Sequence, residues 1–206
     1  PRQSELAEAH FDSEVFPVLT PMAVEGAAGF PLLTNLALQA LVRLAPPPEG
    51  KEERFAILPL GAGLRRFVPL GGALETDFEY MPVEDLIAMF VQRFFPGQEV
   101  LEFIPFRIAR NAAMSLQDEF AADMLSEMES ILAARRTSDC VRLETAARVS
   151  RAATEFLLHG LEIDPRSVYR IRGPIDLTAF RRLVELGGRE SWRYPTWTPR
   201  ASPQID

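Results

Sequence analysis

The stretch "FIPFRIARNAAMSLQDEFAADMLSEME", residues 103–129, passes from one kind of secondary structure to another. From Phe103 to Ile108 apolar residues alternate with other residues, which predicts a strand with one buried face. Beyond Ser115 the apolar residues recur at helical spacing, and Ser115 with Asp118 forms a variant of the capping box that begins helices. The predicted buried residues are Ile104, Phe106 and Ile108 in the strand and Phe120, Met124, Leu125, Met128, Ile131 and Leu132 in the helix. The stretch therefore predicts a fold that uses both strands and helices.

Two arginines and an asparagine, Arg107, Arg110 and Asn111, lie just before the switch. Arg107 faces away from the apolar side of the strand, whereas Arg110 falls on the same side as the buried residues. Three interpretations are open: surface charges, ligands of an anion, or contacts to another part of a larger protein. Because a guanidinium group pairs well with carboxylate or phosphate, Arg66 and Arg142 are further candidates for binding something anionic. An alternative role for Arg110 is to bind backbone carbonyls where the strand ends.

Composition limits the class of protein. The 206 residues, 47% of them hydrophobic, are typical of one globular domain with at most an embellishment. The net charge of −7 argues against a nucleic-acid partner, and Lys51 is the only lysine, a bias that genomic composition also explains. No run approaches the roughly 18 apolar residues of a membrane span, so we predict no transmembrane segment and expect a cytoplasmic protein. Because the chain begins at Pro1, we expect it to be cut or processed from a longer one.

Several other segments read as strands. Residues 36–43 alternate apolar residues on one face with mostly apolar residues on the other, which predicts a strand buried on both faces. The segments "RFAILPL" and "RRFVPL" are joined by "GAG", and this spacing predicts a hairpin. Short strands are also predicted at "FEYMP", "CVRLETA" and "SVYRIRG".

The remaining periodic segments read as helices. "VEDLIAMFVQRFF" carries one apolar stripe and ends at Pro96 and Gly97. "SELAEAHFDSEVF" predicts a helix near the start, "SRAATEFLLHGLEI" one closed by Gly160, and "LTAFRRLVELGG" a last helix capped by Asp176. Because the strands and helices do not repeat a strict unit, we predict an α+β fold with a mixed, largely antiparallel sheet and helices packed on it.

The sequence shows no self-contained catalytic site. His10 and His159 lie far apart and neither has a partner at metal-ligand spacing, and the single cysteine, Cys140, excludes a disulfide and a cysteine-rich zinc site. The serines form no nucleophile elbow, and "LGAGLRR" lacks the spacing and the Lys-Ser/Thr end of a phosphate loop. Structural roles are the preferred interpretation for both histidines and for Cys140.

Nine segments, taken in order, resemble the head domain of the bacterial long-form polyphosphate kinases. They cover essentially the whole chain: "FDSEVFPVLTPMAV", "GFPLLTNLALQALVRL", "RFVPL", "MPVEDLI", "FFPGQEV", "PFRIARNAAMSL", "VRLE", "VYRIRGPIDLT" and "RYPTWTPR". The resemblance assigns residues 1–190 to the head domain and residues 191–206 to a tail leading toward catalytic domains. It also shows departures, since Gly29 replaces a histidine of the family and Thr196 and Trp197 replace a proline and a phenylalanine.

The resemblance implies a function for the whole enzyme. Such an enzyme transfers the terminal phosphate of ATP to polyphosphate with Mg²⁺, through a phosphorylated histidine in C-terminal domains, and neither His10 nor His159 matches that context. The expected partners are the N-terminal and catalytic domains, polyphosphate, and a second copy in a homodimer, with no cofactor on this chain alone. Arg66, Arg107, Arg110 and Asn111 are then candidates for contacts to polyphosphate or to neighbouring domains.

Two alternatives come from other classes of protein. One is a free-standing, non-catalytic module that binds a polyanion or a partner enzyme. The other is a complete small enzyme with an unrecognised site.

Overall fold

The structure is a computed structural model that describes residues 2–24, 29–47, 50, 53–61, 63–71, 79–111, 138–185, 191 and 193–199. The helix predicted to begin at Ser115 lies outside the described residues. Among the described residues, no helix is long and apolar enough to cross a membrane.

Strands and helices are interspersed along the chain. The strands are β1 Met22–Val24, β2 Leu38–Leu44, β3 Arg54–Leu58, β4 Phe67–Pro69, β5 Tyr80–Pro82, β6 Val100–Arg110, β7 Cys140–Ala146 and β8 Val168–Ile171. The α-helices are α1 Arg2–His10, α2 Val83–Phe90, α3 Arg151–Leu161 and α4 Arg181–Glu185. A π-type turn at Phe11–Val15 extends α1, and 3₁₀ turns occur at Val91–Phe94, Pro165–Ser167 and Leu177–Phe180.

Six of the described strands form one sheet in the order β1-β3-β2-β6-β7-β8. Its pairs are antiparallel except β7 and β8, which are parallel and are connected through α3. β4 and β5 form a separate two-stranded ladder. The predicted α+β class with a mixed, largely antiparallel sheet is therefore confirmed.

The sheet has an apolar core on each face. The first core lies between the sheet and α1, the π-type turn and α2, and it includes Phe11, Leu86 and Ile87. The second core lies under α3, whose Leu157 is fully buried against β6 and β7. β2 contributes to both cores, which confirms the strand predicted to be buried on two faces.

The alternation predicted for the strand that starts the 103–129 stretch is confirmed. Ile104, Phe106 and Ile108 are at most 1% exposed and all belong to the second core. Arg107 lies on the opposite face, and Arg110 follows the parity of the buried residues as β6 ends. Arg107 and Arg110, although close in sequence, therefore lie on opposite faces of the sheet.

The predicted hairpin of "RFAILPL" and "RRFVPL" is wrong. β3 pairs with β1 and β2, whereas β4 pairs with β5. Both edges of β3 are already occupied, so the glycine-containing connection leads the chain away from the sheet. The short connection between the two segments gave no indication that β1 and β2 occupy both edges of β3.

Gly160 does not close the helix in which it lies. α3 continues to Leu161, and Glu162 takes the left-handed conformation that ends the helix, with φ 51°. Gly160 has a packing role instead, since a Cβ placed there would lie 2.0 Å from Cδ2 of Phe30.

Asp176 does not cap the last helix through its side chain. The segment after it begins as a 3₁₀ turn and continues as the short α4. Asp176 has φ 60°, and its side chain makes no capping hydrogen bond, although its backbone carbonyl accepts from the N–H of Ala179 at 3.3 Å. Its carboxylate points to Arg107 of the sheet and to Arg66, which immediately precedes β4, as described below.

Candidate functional site: an arginine–carboxylate network

Arg107, on β6, is the centre of a network of ion pairs. Its Nε donates to Oε2 of Glu144 at 2.9 Å, and its Nη2 lies 2.8 Å from the same oxygen. Its Nη1 donates to Oδ1 of Asp176 at 2.8 Å. Glu144 lies directly opposite Arg107 in the β6–β7 ladder, so the sheet register fixes one half of the contact. Arg107 thereby links the sheet to the turn that follows β8.

Arg66 makes a second and more deeply buried pair. Its Nε and Nη2 donate to the two carboxylate oxygens of Glu84 at 2.8 and 2.5 Å. Nη2 also donates to the carbonyl of Ile175 at 2.7 Å, and Nη1 lies 3.9 Å from Oδ2 of Asp176. The side chains of Arg66 and Glu84 are 10% and 6% exposed, so this two-pronged pair is largely shielded from water.

Asp176 joins the two arginines through an unusual turn, Gly173-Pro174-Ile175-Asp176. Ile175 is 3% exposed and inserts into the first core, which anchors the turn. Asp176 then adopts φ 60°, a conformation that aspartate tolerates better than most residues. The hydroxyl of Thr178 donates to the same oxygen that receives Arg107. The turn is therefore held by the buried Ile175 side chain, by the hydrogen bond from Arg66 to the Ile175 carbonyl and by the shared carboxylate of Asp176.

The network ends in solvent at Arg142. Nη2 of Arg142 lies 2.7 Å from Oε1 of Glu144, and its guanidinium carbon lies 4.6 Å from the ring centroid of Tyr169. The Arg142 side chain is 48% exposed. The network contains three arginines and three carboxylates, so its formal charges balance.

Residues of the network come from several of the quoted sequence segments. Five of the nine segments meet in it: "RFVPL", "MPVEDLI", "PFRIARNAAMSL", "VRLE" and "VYRIRGPIDLT". The segments are far apart in the chain, yet each supplies at least one charged side chain.

Arg110 and Asn111 contact backbone carbonyls instead of joining this network. Nη1 of Arg110 donates to the carbonyl of Ser138 at 2.6 Å, and its Nε donates to the carbonyl of Leu33 at 3.4 Å. The backbone N–H of Asn111 donates to the carbonyl of Asp139 at 2.9 Å. The structure thus shows Arg110 bound to backbone carbonyls at the strand end, which was the alternative role considered for it.

The structure brings together only part of the predicted site. Arg66 and Arg107 meet at Asp176, whereas Arg110 lies on the other face of the sheet. Contact of these residues with polyphosphate or with other domains stays a prediction.

Sequence reasoning missed the three carboxylates as members of a site. Glu84 lies in the first turn of the predicted helix "VEDLIAMFVQRFF", where the helix dipole favours an acid, and Asp176 was predicted as a cap, whereas no role was predicted for Glu144. No sequence signal placed these acids beside the arginines, because the contacts join segments far apart in the chain.

A cleft of about 400 Å³ lies beside the network, between α2 and the sheet. Its lining is mostly apolar and includes Phe103, Pro105 and Pro174, with Asp85 as a carboxylate at its edge. Partial desolvation raises the pKa of Asp85 above its ordinary value, and the Arg66 guanidinium offsets part of this rise. Folding therefore disfavours the charged form of Asp85.

The histidines and the cysteine remain apart from this network. Nδ1 of His10 lies 3.4 Å from Glu14, one helical turn away, and His159 is exposed near the end of α3. Cys140 is 9% exposed, and burial raises the pKa of its thiol. Within the described ranges, no three His, Cys, Asp or Glu side chains are gathered in a way that could hold a metal ion.

Comparisons with known proteins agree with the segment pattern. The profile of the family described as "Polyphosphate kinase middle domain" matches residues 2–183. The polyphosphate kinase of Mycobacterium marinum is 35% identical over 98% of this chain and 28% of its own length, and that of Rhodopirellula baltica is 32% identical over 97% and 31%. The chain thus spans less than a third of the length of these relatives.

A solved structure shows the same fold. The polyphosphate kinase from Porphyromonas gingivalis superposes with a TM-score of 0.69 at 23% identity, covering 97% of this chain and 28% of that one. On the profile match and the two relatives together, the chain belongs to the polyphosphate kinase middle-domain family.

Proposed function

We propose that this chain is the middle domain of an enzyme that transfers the terminal phosphate of ATP to polyphosphate, with the phosphorylated histidine in C-terminal domains outside this chain. The observation that carries the proposal is the family match over residues 2–183, combined with relatives more than three times as long that are named polyphosphate kinases. In this proposal the domain supports homodimer contacts and borders the path of the polymer.

The charged groups of the network do not fit a complex of Mg²⁺ with ATP. Mg²⁺ prefers free carboxylate oxygens and retains several of its own waters. Here the carboxylates of Glu84, Glu144 and Asp176 are each directed at arginines. No part of the phosphoryl transfer is therefore assigned to these residues.

The network supports a role in shaping the border with other domains. Arg107 and Arg66 donate hydrogen bonds to groups inside the domain, and these bonds hold the turn that precedes α4. Arg142 keeps an exposed guanidinium at the outer end, and exposed arginines attract phosphate oxygens. The polymer path is accordingly proposed to pass the outer end of the network, and Arg107 influences it through Glu144, which it shares with Arg142.

The test uses the longer protein that contains this chain. Transfer of phosphate from ATP to polyphosphate is expected from that protein and not from the 206 residues alone. Arg107→Ala and Arg110→Ala are expected to weaken polymer processing or assembly, while Arg151→Ala, whose side chain is 91% exposed, serves as the control. If the longer protein makes no polyphosphate, the proposed function is wrong; if both variants keep turnover and dimer formation, the two arginines have only local structural roles.

A further inference from the structure

The second cleft on the domain is lined by more polar than apolar surface, unlike the mostly apolar cleft beside α2. It has a volume of about 390 Å³, which lies within the range of small-molecule sites in proteins. We call it the arginine groove, and its lining includes Leu36, Leu60, Arg66, Asp176, Thr178 and Arg182. Two arginines and one carboxylate in such a groove suit a small charged ligand.

Arg66 has one amino group that is not used inside the domain. Its Nε and Nη2 donate to Glu84 and to the carbonyl of Ile175. Its Nη1 lies 3.9 Å from Oδ2 of Asp176, beyond hydrogen-bond distance, and donates to no other described residue. The Arg66 side chain is only 10% exposed and lines the groove, so an acceptor bound in the groove is the partner that this amino group lacks.

Asp176 presents the complementary gap. Its Oδ1 receives hydrogen bonds from Arg107 and from the hydroxyl of Thr178. Its Oδ2 receives no hydrogen bond from a described residue, and the 3.9 Å contact with Nη1 of Arg66 is its one ion pair within the described ranges. The groove thus contains one donor and one acceptor that lack hydrogen-bond partners in the described part of the chain.

Arg182 adds a positive charge that the domain does not balance. It belongs to α4, is exposed and lines the groove, and no described carboxylate forms an ion pair with it. The charge of Arg66 is balanced by Glu84, and that of Asp176 by Arg107. The groove therefore carries one net positive charge, which favours an anion.

Hydrogen phosphate has groups that match all three side chains. Its bare oxygens accept from guanidinium groups, which pair well with phosphate. A phosphate group is still partly protonated at neutral pH, because its second pKa is about 6, so its hydroxyl can donate to Oδ2 of Asp176. Sulfate has the same tetrahedral shape but no proton at this pH, and it would place a lone pair against that carboxylate.

We propose that the arginine groove binds hydrogen phosphate. Oxygens of the anion accept from Nη1 of Arg66 and from the guanidinium of Arg182, and its hydroxyl donates to Oδ2 of Asp176. Free orthophosphate and the terminal unit of a polyphosphate chain both carry this group, whereas an interior unit of the chain has no hydroxyl. The binding needs only the residues of this chain, so it does not depend on the proposed function.

The experiment titrates the 206-residue chain with sodium phosphate, sodium sulfate or sodium tripolyphosphate near neutral pH, with sodium chloride keeping the ionic strength constant. The NMR signals of the amides of residues 36–38 and 176–182 report binding in the groove. Orthophosphate is expected to shift them saturably and to bind at least about tenfold more tightly than sulfate, the factor that one charge-assisted hydrogen bond provides.

Two neighbouring arginines provide a matched pair of variants. Arg182→Gln is expected to weaken phosphate binding at least about tenfold. Arg181→Gln is the control, because Arg181 is equally exposed on α4 but does not line the groove, and it is expected to change the affinity less than about twofold. Neither arginine forms an ion pair with a described carboxylate, so both variants are expected to unfold thermally like the unsubstituted chain.

Asp176→Asn tests the acceptor in the groove. The amide oxygen of asparagine is expected to keep the contacts of Oδ1 with Arg107 and Thr178, so that its NH₂ group takes the place of Oδ2. A donor there suits sulfate as well as phosphate. The preference for phosphate over sulfate is therefore expected to fall to within about twofold, and an unchanged preference would contradict the role of Oδ2.

Three other outcomes overturn the proposal: no saturable binding of phosphate, sulfate binding as tight as that of phosphate, or equal weakening by Arg181→Gln and Arg182→Gln. Tripolyphosphate distinguishes the two sources of the phosphate group. Tighter binding than orthophosphate at the same amides, lost with Arg182→Gln, indicates the end of a polymer, and weaker binding indicates free orthophosphate. Phosphate transfer by the longer protein is measured separately, and an inactive longer protein would reject the proposed function while phosphate binding in the groove stands.

Discussion

Nη1 of Arg107 and Oδ1 of Asp176 are 69 residues apart in sequence and 2.8 Å apart in space. Arg107 belongs to a long central strand, whereas Asp176 belongs to a turn held otherwise by Ile175. The contact therefore decides where the last helical segment lies relative to the sheet.

Asp176→Asn is expected to lower the free energy of unfolding by roughly 1–3 kcal/mol, the usual cost of leaving a partly buried charged donor without its acceptor charge. Asparagine tolerates the left-handed conformation at this position, so this variant isolates the lost charge. Asp176→Ala is expected to cost more, because alanine adds backbone strain. Urea unfolding of both variants checks that Asp176→Ala is the more destabilised. An unchanged urea midpoint for Asp176→Asn would mean that the network does not contribute to stability.

Glu84→Gln is expected to destabilise the domain by about 3 kcal/mol, because it leaves the guanidinium of Arg66 buried without its countercharge. Glu155→Gln is the matched control, since its pair with Arg151 is exposed on α3 and screened by water, so that its loss is expected to change stability little. Denaturant unfolding of the two variants gives the comparison directly. Equal effects would mean that water reaches the Arg66–Glu84 pair.

Gly160→Ala is expected to destabilise the domain by about 1–3 kcal/mol through overpacking, although alanine is normally the better helix former. The added methyl group would meet the ring of Phe30 at 2.0 Å. Thermal unfolding of Gly160→Ala with and without Phe30→Leu tests the contact. The smaller side chain is expected to recover part of the loss, and strictly additive effects would argue that the two residues are not coupled.

Asp85→Asn is expected to stabilise the domain at neutral pH and to have little effect in acid. The pKa of Asp85 is raised from its ordinary value of 3.8, first because of desolvation and in spite of Arg66. Its protonated form is therefore favoured by folding, so its contribution to stability is complete below pH 3.8 and is lost as the pH rises through the raised value.

The free energy of unfolding, measured across this pH range, checks the sign for Asp85. The gap between Asp85→Asn and the unsubstituted chain should widen as the pH rises and then remain constant. A gap that widens toward acid instead would mean that Asp85 is stabilised in its charged form.

The sequence predicted the strands and helices whose periodicity is strong. The alternation around Phe106 and the two-sided burial of β2 were both readable, because a strand places successive side chains on opposite faces. The pairing of the strands was harder to predict from the sequence. A short connection suggested that β3 and β4 form a hairpin, yet β3 already has neighbours on both edges.

The candidate site was predictable only in its cations. Arg66 and Arg107 were predicted as candidate anion-binding residues because an otherwise acidic chain carries them near the ends of predicted strands. Their partners were not found, since Glu84 and Asp176 each had a sufficient local explanation as helix-start residues. Local rules cannot choose between a cap and a distant salt bridge when the same carboxylate satisfies both patterns.

By itself the sequence determined the α+β class, the buried faces of the strands and the order of the segments shared with the polyphosphate kinase family, because these depend on periodicities and neighbours along the chain. Only the tertiary structure decided that Arg107 reaches Asp176, that Arg110 binds backbone carbonyls instead of a carboxylate, and that Gly160 makes room for Phe30. The physical reason is that these contacts join residues 28 to 130 positions apart. Such contacts form only after sheet register and helix packing have set the distances between them.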